Sequence, residues 1–235
     1  MDSINKVKSI SIWIFIVPFF AINACLILIT HFHGLFNNED ILVNTIPYFD
    51  GGASISRTAR VFPTYLIFKP AMFLTAYLLI KYWIHNKKIV LSICGEHKQI
   101  KKFLFFGISS AICLVLHSIF LGIKYDYDLY KLFRRVIMLS FIIFEITAQT
   151  YLVMALYSLK NELKDFINEK VLKIKIFLVS LLIIVAVISI PIISMPGDDF
   201  FGISLKFLKH GLEWDYFLGV ISFYLLTFLM WKKNN

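Results

Sequence analysis

Two groups of residues in this 235-residue chain have the types and spacing to do chemistry. The first sits in the apolar run FEITAQTYL. Glu145 and Gln149 are four apart, so on a helix they share a face. About ten residues separate Glu145 from Arg135, which at 1.5 Å per residue puts the carboxyl group roughly 15 Å below that charged end. At such a depth it must be protonated or paired. His117, in a stripe with Ser110 and Cys113 at i, i+3 and i+7, and Asn23 are its candidate partners. Two roles are open to this polar set of Asn23, His117, Glu145 and Gln149. It ties helices together by hydrogen bonds, or it lines a site for a lipid headgroup, a proton or a catalytic water. The second group is charged: Arg57, Arg60, Arg134, Arg135, His210 and Glu213 fall at the same end of their hydrophobic runs. They predict a ring of both signs at one membrane level. The forked donors of arginine suit an anionic headgroup or a glycolipid phosphate; the alternative is interfacial anchoring with ordinary ion pairs.

Other chemistries find less support. Zinc needs three or four N, S or O ligands. His31, His33, His210, Asp198, Asp199 and Asp215 fall on one side, but the chain has no HxxxH or HExxH, and alternate histidines at a helix end diverge. No metal and no cofactor is therefore expected. A GxSxG elbow and a glycine-rich phosphate loop are both absent. Cys25 and Cys113 lie within apolar runs and Cys94 within an inner loop, so no disulfide framework is implied.

The elements that must position these residues are membrane spans. The chain is 59% hydrophobic and 17% aromatic, beyond what a soluble domain of this length hides. Runs near 20 apolar residues match about 30 Å of hydrocarbon. They predict an all-α polytopic membrane protein, one transmembrane domain over residues 1–235, with six spans at about 9–32, 63–84, 103–123, 134–158, 174–195 and 209–231. The first run is too long for a removable signal peptide and reads as a signal anchor. The fifth, with Ser180 and Ser189 its only polar residues of note, reads as peripheral and lipid-facing. The net charge of +9 follows topology. With both termini cytoplasmic, 15 of the 24 lysines and arginines, Lys175 among them, lie on the cytoplasmic side. A nucleic-acid partner is not expected. The terminal Lys232-Lys233 matches a dilysine retrieval address, or simply ends a cytoplasm-facing helix.

Three stretches carry a resemblance: IPYFDGGASISRTARVFP between the first two spans, FEITAQTYLVMALYSL in the fourth, and GLEWDYFLGVISFYLLTFLMW in the sixth. Together they resemble the six-span family of damage-regulated autophagy modulators and Golgi GPI-anchor remodelling proteins. Ser54, Ser56, Glu145, Glu213 and Trp214 are the matching positions. Asp50-Gly51-Gly52 departs from the family's serine-acid-glycine order, and Phe62-Pro63 stands where that family has Pro-Glu. The resemblance implies lipid handling or membrane-stress regulation, in an endomembrane (ER, Golgi or lysosome) of a eukaryotic host; in a bacterium the location would be the inner membrane. The leading expectation is a regulatory protein that binds lipid or glycolipid headgroups, with membrane lipids as partners. The alternatives are an intramembrane lipid hydrolase or acyltransferase using His117, Glu145 or the outer histidines, and an interaction or immunity-type protein with a membrane-protein partner.

Overall fold

A computed structural model describes residues 2–123, 125, 127–194, 199–200 and 203–232. Asp198 and Lys233 of the readings above, and the end of the fifth predicted span at Met195, lie outside them. The described residues form helices α1 (Asp2–His31), α2 (Pro47–Asp50), α3 (Ile55–Ala59), α4 (Thr64–Cys94), α5 (Ile100–Phe120), α6 (Asp128–Ser158), α7 (Glu169–Ser194) and α8 (Leu205–Met230). A two-residue ladder pairs Asp199–Phe200 with Ile203–Ser204 ahead of α8. Six helices, α1 and α4 to α8, are long and apolar enough to cross a membrane. They coincide with the six expected spans but run past them at polar ends. In α4 the helix continues through Lys87 and Lys88 to Cys94, so Cys94 ends a helix instead of lying in a loop. At 31 residues each, α4 and α6 are about 46 Å long. That exceeds the hydrocarbon thickness and carries their ends into the headgroup layer.

Each long helix packs on its neighbours in sequence, and α8 returns to α1, so the six close into a ring. The first and last helices meet at one end, where Lys8 Nζ donates to the Trp231 carbonyl at 2.6 Å. Trp231 also bridges to Ile167 in the α6–α7 connection. We call this the terminal end; the opposite end carries residues 32–63 and is the lid end.

Lipid is as apolar as leucine, so shape and hydrogen bonding drive association between such helices. Exposed Phe20, Phe105 and Phe177 accordingly face outward, while Tyr82, Trp83, Phe103, Trp214, Phe223 and Tyr224 are fully buried. Gly107 shows how close the backbones come: a Cβ there would overlap the Trp83 indole of α4.

Candidate functional site

The stretch from Ile46 to Arg60 is a folded lid. Pro47 opens α2 at a position that needs no N–H donor. Asp50 then accepts from the Ile46 N–H at 2.7 Å and from the Gly52 N–H and Thr45 hydroxyl at 2.8 Å each. Partial burial disfavours its charge, but these hydrogen bonds outweigh that and hold the carboxyl below its ordinary 3.8. Gly51 takes a left-handed conformation, φ 61°, and its Cα lies so close to the Phe207 carbonyl that no side chain fits. Ser54 caps α3 by accepting from the Arg57 N–H at 3.2 Å, and its hydroxyl pairs with Ser56 at 3.1 Å.

Helix α8 holds the lid by its main chain. His210 Nδ1 donates to the Gly51 carbonyl at 2.9 Å, and Trp214 Nε1 donates to the Ala53 carbonyl at 2.8 Å. The Glu213 carboxyl group faces the N–H groups of Ile55 and Ser56 at the start of α3. The Tyr48 ring packs edge-on against Trp214 at 4.6 Å, and its hydroxyl donates to Asn23 on α1 at 3.2 Å. A sixth span beginning near residue 209 would put Glu213 in the first turns of its helix. Because α8 begins at Leu205, Glu213 lies two turns inside it and serves the short helix α3 instead.

Under the lid lies a cavity of about 110 Å³. A single water needs roughly 10–15 Å³ by this measure, so there is room for several waters or for an alkyl chain. Its walls are mostly apolar: Ile14, Pro18 and Ile22 of α1, Phe68, Met72 and Leu79 of α4, Met138, Phe141 and Ile142 of α6, and Phe217, Val220 and Ile221 of α8, with Ile55 of the lid. Helix α7 contributes no wall residue. At the lid end the polar lining includes His117 and Glu213, at the floor Glu145 and Tyr224, and Thr75 of α4 and Tyr216 of α8 also line the walls. Eleven residues separate Glu213 from Tyr224, and likewise Arg134 from Glu145, so mouth and floor are about 16 Å apart. That is half of a hydrocarbon core of about 30 Å, one leaflet.

The floor is a hydrogen-bonded cluster across three helices. Ser110 of α5 donates to Glu145 Oε2 at 2.5 Å, Gln149 donates to Oε1 at 3.2 Å, and the Tyr224 hydroxyl of α8 donates to Oε1. Gln149 also donates to the Val220 carbonyl at 3.3 Å, while its Oε1 is buried without a partner. Glu145 is therefore paired by neutral donors rather than by a cation.

The expected polar set divides. Glu145 and Gln149 form the floor; His117 lines the cavity nearer the mouth, with no side-chain hydrogen bond among the described residues; Asn23 belongs to the lid through Tyr48. The charged ring also divides. Arg134 begins the α6 stripe that runs on through Met138, Phe141, Ile142 and Glu145. It is half-buried, within electrostatic reach of His117, and its Nε is buried with no partner. Arg57 is half-buried within reach of His210. Arg60 and Arg135 are exposed and turn away. Among the described residues only Lys6–Asp2 and Lys131–Asp128 form salt bridges, so none of these four arginines is ion-paired.

One buried cation was misplaced by the sequence reading. Lys175, assigned to the cytoplasmic surface of a featureless fifth span, is fully buried. Its Nζ donates to Thr227 at 2.8 Å and lies 3.9 Å from the centroid of the Phe223 ring. The available signal was its register. Leu172, Lys175, Val179 and Leu182 recur at helical spacing, and all four are buried.

The histidines do not converge: His31 pairs with Thr30, His33 with the Thr30 carbonyl, and His210 with Gly51. No protein-family model, curated protein or solved structure matches this chain.

Proposed function

We propose that this membrane protein binds an anionic lipid, with one acyl chain in the cavity and the headgroup at its mouth against Arg57 and Arg134, beside His117 and His210. The observation that carries the reading is the cavity itself: apolar, one leaflet deep, with half-buried Arg134 and Arg57 beyond its lining, within electrostatic reach of His117 and His210 and without a carboxylate partner among the described residues. Apolar cavities stay dry and take apolar guests, and arginine binds phosphate through two donors at once. The family resemblance points the same way, toward lipid handling of a regulatory kind. With both termini cytoplasmic, as the charge balance favours even without Lys175, the bound lipid belongs to the non-cytoplasmic leaflet.

The test is native mass spectrometry of the full chain offered phosphatidic acid and phosphatidylcholine with the same acyl chains. Phosphatidic acid should be retained in preference, and an Arg57→Ala/Arg134→Ala double variant should lose that preference. Equal retention of both lipids by the unaltered chain would defeat the headgroup assignment.

A further inference from the structure

The ionisable residues buried at depth do not scatter through the ring. Glu145 stands at the cavity floor, near mid-membrane, and Lys175 stands six residues, about 9 Å, inside the terminal-end start of α7. Between them runs a line of hydroxyl groups. Lys175 Nζ donates to Thr227 Oγ1 at 2.8 Å, and Thr227 Oγ1 and the Tyr82 hydroxyl are 3.1 Å apart. The Tyr82 ring meets Tyr224 edge to face at 4.9 Å, and the Tyr224 hydroxyl bonds to Glu145. The ring contact is the one step not bridged by a hydrogen bond. Every member is fully or almost fully buried.

Hydrogen bonding between helices accounts for part of this arrangement but not for its ends. A lysine ammonium carries three donors, and here one hydroxyl and one ring face serve it. A helix-packing role needs only a hydroxyl or an amide at that place. Glu145 is likewise met by three neutral donors, and beside it the Gln149 Oε1 lacks a donor. Acidic and basic groups placed in series inside a membrane protein are the usual components of proton relays.

We propose that Lys175, Thr227, Tyr82 and Tyr224 form a proton path that gives the cavity floor access to the terminal-end compartment. One proton leaves Lys175 Nζ, which is recharged from that compartment; the hydroxyls of Thr227, Tyr82 and Tyr224 each take up one proton and release their own, Thr227 turning its O–H from the Phe223 carbonyl toward Tyr82, and one proton arrives at the Glu145 carboxylate, so one N–H and three O–H bonds break, four O–H bonds form and no electron moves. The Tyr82–Tyr224 step needs a side-chain rotation or a water, and is the slow one. Glu145 is faced by Ser110 from α5, Gln149 from α6, Tyr224 from α8 and, within electrostatic reach, Tyr82 from α4. Across the cavity it looks toward His117 and Glu213. The lid-end route to Glu145 therefore crosses mostly apolar walls, whereas the terminal-end route, from the buried Lys175 inward, follows hydroxyls. This inference does not depend on what fills the cavity.

The test uses the full chain in sealed phosphatidylcholine vesicles of one orientation, with the two sides buffered separately. The infrared carbonyl band of a protonated Glu145, identified by its loss in Glu145→Gln, reads the floor directly. It should follow pH changes on the terminal-end side, and Thr227→Val should slow that response at least tenfold. Tyr82→Phe keeps the ring packed against Tyr224 and should slow it similarly, so a folding failure of Thr227→Val leaves the question decidable. A band that follows only the lid-end pH, that ignores both sides, or that responds as fast in Tyr82→Phe as in the unaltered chain overturns the proposal.

Discussion

Arg134 and Arg135 are adjacent in sequence and differ in burial, which makes them the sharpest test of the lipid reading. Arg134 lies on the cavity stripe of α6 with a buried, unpartnered Nε; Arg135 is exposed. A hydrogen bond to a charged group contributes about 1.5–3 kcal/mol. Arg134 is only half-buried, so solvent screening favours the lower part of that range, about 1.5–2 kcal/mol. With every 1.4 kcal/mol worth tenfold in affinity, Arg134→Ala should weaken phosphatidic acid binding by roughly 10- to 30-fold. Arg135→Ala should leave it unchanged within measurement. Titration of each purified variant with phosphatidic acid, read as bound fraction by native mass spectrometry, gives both constants under one condition. Should the Arg135 variant lose as much as the Arg134 variant, the binding is a general attraction of the basic rim for anions, and the cavity has no part in it.

Four further outcomes follow from the lid and the floor. Gly51→Ala should destabilise the lid by more than about 1 kcal/mol, because alanine is strained at positive φ and meets the Phe207 carbonyl; faster protease cleavage between residues 46 and 63 checks it. Trp214→Phe keeps the ring but strands the Ala53 carbonyl, a loss of about 1–3 kcal/mol measured by thermal unfolding in detergent. Glu145→Gln and Tyr224→Phe remove two ends of one contact, so the double variant should be more stable than the sum of the single losses predicts, by about 0.5–3 kcal/mol. Asp50 has a folded pKa below its ordinary 3.8, so its contribution is complete above that value and is lost as pH falls through the folded one. Asp50→Asn should therefore loosen the lid at neutral pH and make little difference in strong acid, as cleavage in the lid reports.

The six spans were legible because length and apolar content are one-dimensional properties, and the bilayer imposes both. Glu145 and Gln149 were legible because four-residue spacing on a helix fixes their common face before any partner is known. Their partners were not. Tyr224 reads as one more aromatic residue in FYLLTF, and only the ring closure of α8 between α7 and α1 brings it to α6. Lys175 failed for a different reason. A lysine near the end of a span is read as a snorkelling surface group, and that prior holds unless the neighbouring helix presents a hydroxyl and a ring face at the same height. Arg134 and Arg135 could be resolved only by helix phase, since a charge count treats them alike.

The way the lid is attached separates its fastening from its reach. His210 and Trp214 grip the carbonyls of Gly51 and Ala53, and Glu213 faces the amides of Ile55 and Ser56. All of these are main-chain groups, so the grip from α8 makes no demand on the Arg57 side chain. Arg57 lies in α3, and among the described residues its guanidinium makes no hydrogen bond to the lid. Its removal should thus alter binding without unseating the lid, whereas His210 and Trp214 should do the reverse. If Arg57→Ala instead opened the lid to protease as readily as Trp214→Phe, the arginine would be part of the fastening, and the headgroup reading would have to rest on Arg134 alone.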